Sequence, residues 1–409
     1  MSTPRTAPPG GPGAPGPSAA PAPERSALLS YGFRPFFLAA ALWAAVALAV
    51  WMAMLSLGLT LPSRLDPLAW HIHEMLFGFV PAAIAGFLLT AMANWTGRAP
   101  VSGARLGLLL GLWIGARLAA LISAWLAAGV AIAIDMAFPV ALVATVAYEL
   151  LAARNRRNYI MIAPLTVLAL AQLLMDLGAV GGIGTLAGYG WRLGLAAIIT
   201  LISVVGGRIV PSFTRNWLMH RGDASVPPMP GRLDRWAQSL LHTALMVWVV
   251  LPDARPTAVL LLAGAALSLW RVLRWRAAAT RAEPLLLILH IGYGWLVLGV
   301  AALGVASLEP AVPLPAAIHA LTAGAIGTMI LGVMTRVSRG HTGRALAADR
   351  VTVLIYVLVV LAAGLRIAAA LPSAAALALL RSAAALWIGA FGLFAVRYAP
   401  LLLRPRRGG

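Results

Sequence analysis

The sequence predicts an all-α membrane protein with a bundle of about twelve transmembrane helices, and three observations lead to this prediction. The chain of 409 residues is 61% hydrophobic and only 11% charged, whereas soluble domains carry about 25% charged residues. Its apolar runs are long enough for helices that cross a bilayer, which need about 20 residues each. Arginine gathers in alternate short loops between these runs, as the positive-inside rule describes for membrane proteins.

The spans follow one another along the whole chain. They are predicted at residues 35–60, 71–95, 104–121, 124–152, 158–180, 191–215, 233–251, 256–277, 284–308, 313–336, 350–371 and 374–402. The third and fourth spans lie so close together that a broken or re-entrant pair is an alternative there. Loops after even-numbered spans hold most of the arginines, as in Arg154, Arg156 and Arg157, whereas loops after odd-numbered spans hold Arg64, Arg255 and little else. This asymmetry places both termini in the cytoplasm.

The ends of the chain differ from its middle in composition. Residues 1–26 are rich in Pro, Gly, Ala and Ser, and such a segment cannot bury enough apolar surface to become ordered. It also lacks the compact apolar run and cleavage site of a signal peptide. We therefore expect a disordered cytoplasmic tail at 1–26, a single helical domain at 27–402 and a second cytoplasmic tail at 403–409.

Charge and cysteine content narrow the function further. The net charge of +19 comes from arginine, since the chain has no lysine, and the arginines are accounted for by topology, so no nucleic-acid partner is expected. Cysteine is absent, which excludes disulfides, thiolate nucleophiles, iron–sulfur clusters and covalently attached haem c. Any metal must be held by His, Met, carboxylate or backbone oxygen.

The second span begins with three groups that can ionise or bind metal, His71, His73 and Glu74. Residues two apart on a helix point about 200° away from each other, because only positions three or four apart share a face. The two histidines therefore serve two centres on opposite sides of the helix, or one of them is structural. Met75 extends the face of His71 and Phe77 that of His73. The alternative is that both histidines are polar anchors at the membrane interface.

The tenth span carries His319 near its beginning. Small residues follow it, including Gly324, Gly327 and Gly332. Small residues let helices pack closely, but they also leave room for a flat macrocycle beside an imidazole. A haem b held by two histidines from facing helices needs that combination. We expect His319 to pair with His71 or His73, which lie at a similar depth.

Two further histidines, His242 and His290, lie inside the seventh and ninth spans. They are candidates for a second metal site, either a haem or a copper ion, because imidazole is a good copper ligand and the nearby Met246 suits Cu(I). The alternative for each is a core histidine hydrogen-bonded across helices.

Charged residues inside apolar spans are the remaining candidates. Arg117 and Arg366 are expected either to bind haem propionates, as arginine can in a bidentate manner, or to pair structurally with Asp176. Asp135 and Glu74 are candidates for proton transfer. Glu74 is alternatively expected to orient the neighbouring imidazole by accepting its proton in a hydrogen bond.

Several stretches of the chain together resemble one family, the NnrS proteins. They are Gly32-Phe-Arg-Pro-Phe-Phe37, His71-Ile-His-Glu-Met-Leu-Phe-Gly-Phe79, Ala85-Gly-Phe-Leu-Leu-Thr90 with Asn94-Trp-Thr-Gly97, Pro211-Ser-Phe-Thr-Arg-Asn216, and His319 through Val333-Met-Thr-Arg336 to Gly340-His-Thr-Gly-Arg344. The composition of the basic loop from Arg336 through His341 to Arg344 does not indicate a specific function.

The resemblance implies a twelve-span bacterial inner-membrane protein that contains haem and copper and is associated with nitric oxide, denitrification and resistance to nitrosative stress. One reading is an oxidoreductase that reduces nitric oxide at a His-ligated metal, with electrons from quinol or a donor protein. A second is a metalloprotein that senses or scavenges nitric oxide without turnover. A third is a secondary transporter, since twelve spans suit that class.

Overall fold

The structure, a computed structural model, describes residues 27–309 and 311–406. The predicted tail at 1–26 and the last three residues of the second tail, 407–409, lie outside the described residues. Every regular element in the described part of the chain is helical, and none is a strand. The all-α class predicted from composition is therefore confirmed.

Twelve long helices run through the described residues, and each overlaps one predicted span. They are α1 (Phe33–Leu57), α2 (Pro67–Thr96), α3 (Gly103–Ile122), α4 (Ala128–Ala152), α5 (Ile162–Ala179), α6 (Thr185–His220), α7 (Arg232–Val250), α8 (Arg255–Leu273), α9 (Pro284–Ala306), α10 (Leu314–His341), α11 (Arg350–Ala368) and α12 (Ala376–Leu403).

Eleven of these helices are long and apolar enough to cross a membrane, and α7 is the exception in the described chain. Its first turn carries Arg232, Asp234 and Arg235, which lower its mean hydropathy, although it packs between α6 and α8. A short turn at Ser123–Trp125 separates α3 from α4, and each is long and apolar enough to cross a membrane, which favours two separate spans over a re-entrant pair.

Helices α2 and α10 form the centre of the bundle. They are the most buried of the candidate spans, with 78% and 72% of their most apolar stretches inside the protein. Asp66 caps the start of α2 by accepting hydrogen bonds at 2.9 Å from the backbone amides of Leu68 and Ala69, and Pro67 suits the first helical position. This cap fixes where the helix begins, and therefore how its first histidines are oriented.

Both central helices widen into a π-helix directly after a histidine. The wide segments are Glu74–Phe79, after His73, and Ala320–Gly327, after His319. Such turns are rare and occur often at functional sites. Both lie in the helices that carry the strongest ligand candidates.

Candidate functional site

The two histidines at the start of α2 face different surroundings. His71 lines a cavity, whereas His73 is fully buried in a cluster of charged side chains. Met75 lines the cavity with His71, and the Phe77 ring lies 5.7 Å from that of His73. The two histidines therefore face opposite sides of the helix, and their roles at two separate centres stay a prediction.

The cavity lies at the end of the bundle where α2, α6, α10 and α12 begin, and its volume is about 440 Å³. Cofactor and ligand sites in proteins usually measure about 300–1,000 Å³ and are mostly apolar with a few polar groups. The ionisable side chains in its lining are His71, His319 and Arg366, and most of the remaining lining is aliphatic or aromatic. The ring of Trp51 stacks on His71, with centroids 4.2 Å apart.

Each cavity histidine has a ring nitrogen that is free to bind a ligand. His319 donates its Nδ1 proton to the carbonyl oxygen of Pro315 at 2.7 Å, and in the neutral imidazole this leaves the lone pair on Nε2. Nδ1 of His71 is buried and has no hydrogen-bond partner among the described residues.

Arg366 supplies a positive charge at the same cavity. It has no ion-pair partner within the described residues, and a cation beside an apolar volume suits a ligand with an acidic group. Two imidazoles, one guanidinium and a mostly apolar volume of this size fit a haem with its propionates. Arg366 lines the cavity, and its role toward a propionate stays a prediction.

The glycines of α10 do not form the cavity wall. Gly324 lies against the Trp295 ring and Gly327 against the Trp387 ring, where an added Cβ would come within 2.9 and 2.5 Å of ring carbons. Gly332 likewise accommodates Leu289. These glycines do not leave room for a macrocycle, because bulky side chains already fill the space beside them. They serve close helix packing instead, which was the alternative.

The second site is an ion cluster that we define as His73, Glu74, Arg117, Asp135 and Asp176. All five residues are buried, with exposed fractions of 0–5%. Nε2 of His73 lies 2.9 Å from Oδ2 of Asp135 and 3.1 Å from Oδ1 of Asp176. Its Nδ1 lies 2.9 Å from Oε1 of Glu74.

Arg117 holds the carboxylates of this cluster together. Its Nη1 donates to both oxygens of Glu74 at 2.8 Å, and its Nη2 donates to Oδ1 of Asp135 at 2.8 Å. Arg117 therefore pairs structurally and does not line the cavity. Asp176 was expected to pair with an arginine, but it contacts His73 instead. The propionate role predicted for Arg117 has no support from this position.

The two candidates for proton transfer, Glu74 and Asp135, both lie in the ion cluster and are absent from the cavity lining. Trp43 donates to Oε2 of Glu74 at 2.7 Å, so both oxygens of that carboxylate already accept hydrogen bonds. Their role in proton transfer stays a prediction. Glu74 does occupy the orienting position beside the His73 imidazole.

His242 and His290 are held apart by α6. Nε2 of His242 lies 3.3 Å from Ser203, and Nε2 of His290 lies 2.9 Å from Thr214. Ser203 and Thr214 are eleven residues apart on α6, which corresponds to about 16 Å along a helix. The two histidines therefore do not fit a shared haem or copper ion, and each has the hydrogen bond across helices that the alternative describes.

The basic segment Arg336–Arg344, predicted as a loop, forms the last turns of α10 up to His341 and the turn after it. It packs against other matched stretches at the opposite end of the bundle. The Arg336 guanidinium lies over the Phe213 ring at 4.2 Å, and the His341 ring lies 5.6 Å from that of Phe33. The backbone amide of Phe33 in turn donates to Thr90 at 2.9 Å. The end of α10 therefore packs against α6 through Phe213 and against α1 through Phe33.

Sequence reasoning missed Gln172, Trp43 and Trp51, and it gave Asp176 a different partner. Asp176 and Gln172 lie four residues apart on α5, and so on one face of the helix, and Gln172 donates to Oδ2 of Asp135 at 2.7 Å. Two strongly polar residues on one face of an apolar span were a usable signal. Trp43 and Trp51 gave no such signal, because aromatic residues are common in any transmembrane helix.

The fold and its two interior sites define a polytopic helical membrane protein that encloses imidazoles and charges within its bundle. The family model described as NnrS protein matches residues 27–406, so the chain belongs to the NnrS family. This confirms the resemblance carried by the stretches from Gly32 to Arg344. No match is found among curated proteins. Membership of the family implies a function linked to nitric oxide.

Proposed function

We propose that this protein binds haem b in the cavity between α2 and α10 and acts there on nitric oxide. The observation that carries the proposal is the cavity itself, which holds His71 and His319 with free ring nitrogens and Arg366 without an ion-pair partner in the described chain. The nitric oxide link comes from the family.

Each cavity residue has a defined task in this proposal. His71 and His319 would hold the haem, and the Trp51 stack and the Pro315 hydrogen bond fix their rings. Arg366 binds a propionate. The bound haem supplies an iron centre with affinity for nitric oxide. The apolar lining suits a small neutral ligand, which reaches the site from the lipid without a charged channel.

Binding or sensing of nitric oxide is the form of this function that the geometry favours over reduction. Reduction would require protons at the cavity and electrons from quinol or a donor protein. The predicted proton carriers Glu74 and Asp135 lie in the ion cluster and not in the cavity lining. The proposal also assigns no copper ligands, because His242 and His290 do not fit a shared ion.

We further propose that the protein lies in the bacterial cytoplasmic membrane with both termini inside the cell. The arginine-rich loops support this orientation. It places the cavity at the outer end of the bundle, where α2 and α10 begin, within reach of nitric oxide that enters the membrane from outside.

The test compares the absorption spectrum and haem content of three purified variants. We expect His71→Ala and His319→Ala to lose most of the bound haem, whereas His242→Ala retains it because that residue lies on α7 outside the cavity lining. Wild-type protein without haem after expression in haem-replete cells would contradict the proposal. A nitric oxide electrode with a reduced quinol analogue then separates the two forms: uptake that stops at one equivalent per haem means binding, and continued uptake means reduction.

A further inference from the structure

We infer that His73, Asp135 and Asp176 form a site for one divalent transition-metal ion inside the bundle, separate from the cavity between α2 and α10. The three side chains come from α2, α4 and α5 and are 1%, 5% and 2% exposed. One ligand atom from each lies within 4.8 Å of the other two. This site does not depend on haem binding.

The distances between the ligand atoms suit one ion. Nε2 of His73 is 2.9 Å from Oδ2 of Asp135 and 3.1 Å from Oδ1 of Asp176. Nitrogen and oxygen ligands lie about 2.0–2.2 Å from such ions, so neighbouring ligand atoms around one ion are about 3 Å apart. A void of about 10 Å³ adjoins the same three residues, and a void of this size has room for about one water-sized particle.

The contacts of His73 allow the tautomer that a metal requires. With Glu74 ionised, Nδ1 of His73 donates to Oε1 of Glu74 at 2.9 Å, and in the neutral ring Nε2 then carries the lone pair that faces the two aspartates. Histidines that bind metals usually donate their other N–H to a carboxylate or carbonyl in this way. Glu74 is itself fixed by Arg117 and Trp43.

The two aspartates are also arranged as ligands. Arg117 donates to one oxygen of Asp135 and Gln172 to the other, both within 2.8 Å, so this carboxylate cannot rotate away. Oδ2 of Asp176 is buried and has no hydrogen-bond partner among the described residues. Because a buried oxygen without a partner costs free energy, a cation beside Asp176 would stabilise the folded protein.

Charge balance in the metal-binding state suits a divalent ion. With His73 neutral and all three carboxyls ionised, the cluster holds three negative charges against the one positive charge of Arg117. Buried charges in apolar surroundings need a compensating charge, and one divalent cation neutralises this excess. The ligand set holds nitrogen and oxygen without a thioether, which favours Mn²⁺, Fe²⁺ or Zn²⁺ over Cu⁺. Asp135 is then a metal ligand in place of a proton carrier.

The test titrates detergent-purified, chelator-treated full-length protein with MnCl₂ and follows the electron paramagnetic resonance signal of free Mn²⁺. We expect about one bound Mn²⁺ per chain, displaced by ZnCl₂, and at least a tenfold weaker affinity in Asp135→Asn and Asp176→Asn. The matched control is Asp234→Asn, the same change at a buried carboxylate that pairs with Arg271 on α8. It should bind Mn²⁺ as the wild type does.

Two further measurements keep the result independent of protein folding and of haem. Pulsed electron paramagnetic resonance spectra of the wild-type Mn²⁺ complex should show coupling to one histidine nitrogen. This measurement needs no aspartate variant, so it does not depend on whether such a variant folds. His71→Ala should keep the Mn²⁺ site while it loses haem. Wild-type protein that binds neither Mn²⁺ nor Zn²⁺, a complex without histidine coupling, or an equal loss of affinity in Asp234→Asn would each overturn the inference.

Discussion

At the scale of single residues, Arg117 is a buried cation that forms ion pairs with two carboxylates. It compensates Glu74 and Asp135 at once, and its own side chain is 3% exposed. Replacing it with Met leaves two buried carboxylates without their cation. Removal of one partner of a buried ion pair typically costs about 3–5 kcal/mol, and we expect Arg117→Met to lower the free energy of unfolding by that order, measured by SDS titration in mixed micelles.

The control for this prediction is Arg98→Met. Arg98 also pairs with a carboxylate, that of Glu149 at 2.7 Å, but its side chain is 40% exposed. Water and salt screen such a pair, so the unfolding curve of this variant should match the wild type. Equal destabilisation of both variants would show that Arg117 contributes only as an ordinary surface charge does.

Gly78 makes a second prediction at this scale. A Cβ there would lie 2.7 Å from Nη1 of Arg117 and 2.9 Å from both Oε2 of Glu74 and Nε1 of Trp43. Overpacking of this kind costs about 1–3 kcal/mol, so Gly78→Ala should lower the free energy of unfolding in the same assay. Gly111→Ala has open space around the added carbon and should leave stability unchanged or slightly raised.

Residue-level reasoning from the sequence succeeded where helix periodicity alone decides the outcome. The spacing of His71 and His73 was enough to predict that they face different sites. The partners of His73 could not be predicted in the same way, because Asp135 and Asp176 come from two other helices, and their meeting depends on how these helices pack. Spacing within one helix holds no information about that.

At the scale of helices, Asp349 joins the ends of three of them. It caps α11 by accepting hydrogen bonds from the amide and hydroxyl of Thr352 at 2.8 Å, and it pairs with Arg397 of α12 and Arg339 of α10. Loss of such a cap costs about 1 kcal/mol. We expect Asp349→Ala to lower the free energy of unfolding by about that amount, and Asp223→Ala, an exposed carboxylate paired with Arg276, to have little effect.

Asp349 also predicts a pH dependence. Burial raises its pKa, but the hydrogen bonds from Thr352 and Arg397 outweigh this and lower the pKa from 3.8 to about 2. A carboxyl with a lowered pKa in the folded state stabilises the protein fully above its unfolded value. This contribution should be lost as the pH falls from about 4 to 2, and wild-type and Asp349→Ala unfolding curves should converge over that range. A constant difference between them would contradict the prediction.

The existence and order of the helices were predictable from hydropathy, and their internal geometry was not. All twelve predicted spans overlap helices, including α7, whose charged first turn makes it less apolar than the others. The π-helical segments after His73 and His319 have no signature in composition, since Glu74–Phe79 and Ala320–Gly327 read as ordinary helix. Packing of the surrounding helices decides that geometry.

At the scale of the whole molecule, the orientation in the membrane is open to a direct test, because the chain has no cysteine. Single cysteines at Ser225, between α6 and α7, and at Ser373, between α11 and α12, would both be exposed. A membrane-impermeant maleimide should label Ser373→Cys in intact cells and Ser225→Cys only after the membrane is opened. The reverse pattern would place the cavity on the cytoplasmic side.

The π-helical turn after His73 makes the orientation of the two histidines independent of the packing of the rest of α2, which a regular helix would couple. A helix advances about 100° per residue, and a π turn contains one residue more than an α turn. Deleting one residue between Glu74 and Phe79 would therefore restore regular geometry and rotate the inner half of α2 by about that angle against its histidine-bearing end. Because of the extra residue, the part of α2 after Phe79 packs against its neighbours in one rotational position, while His71 and His73 before it keep a different one.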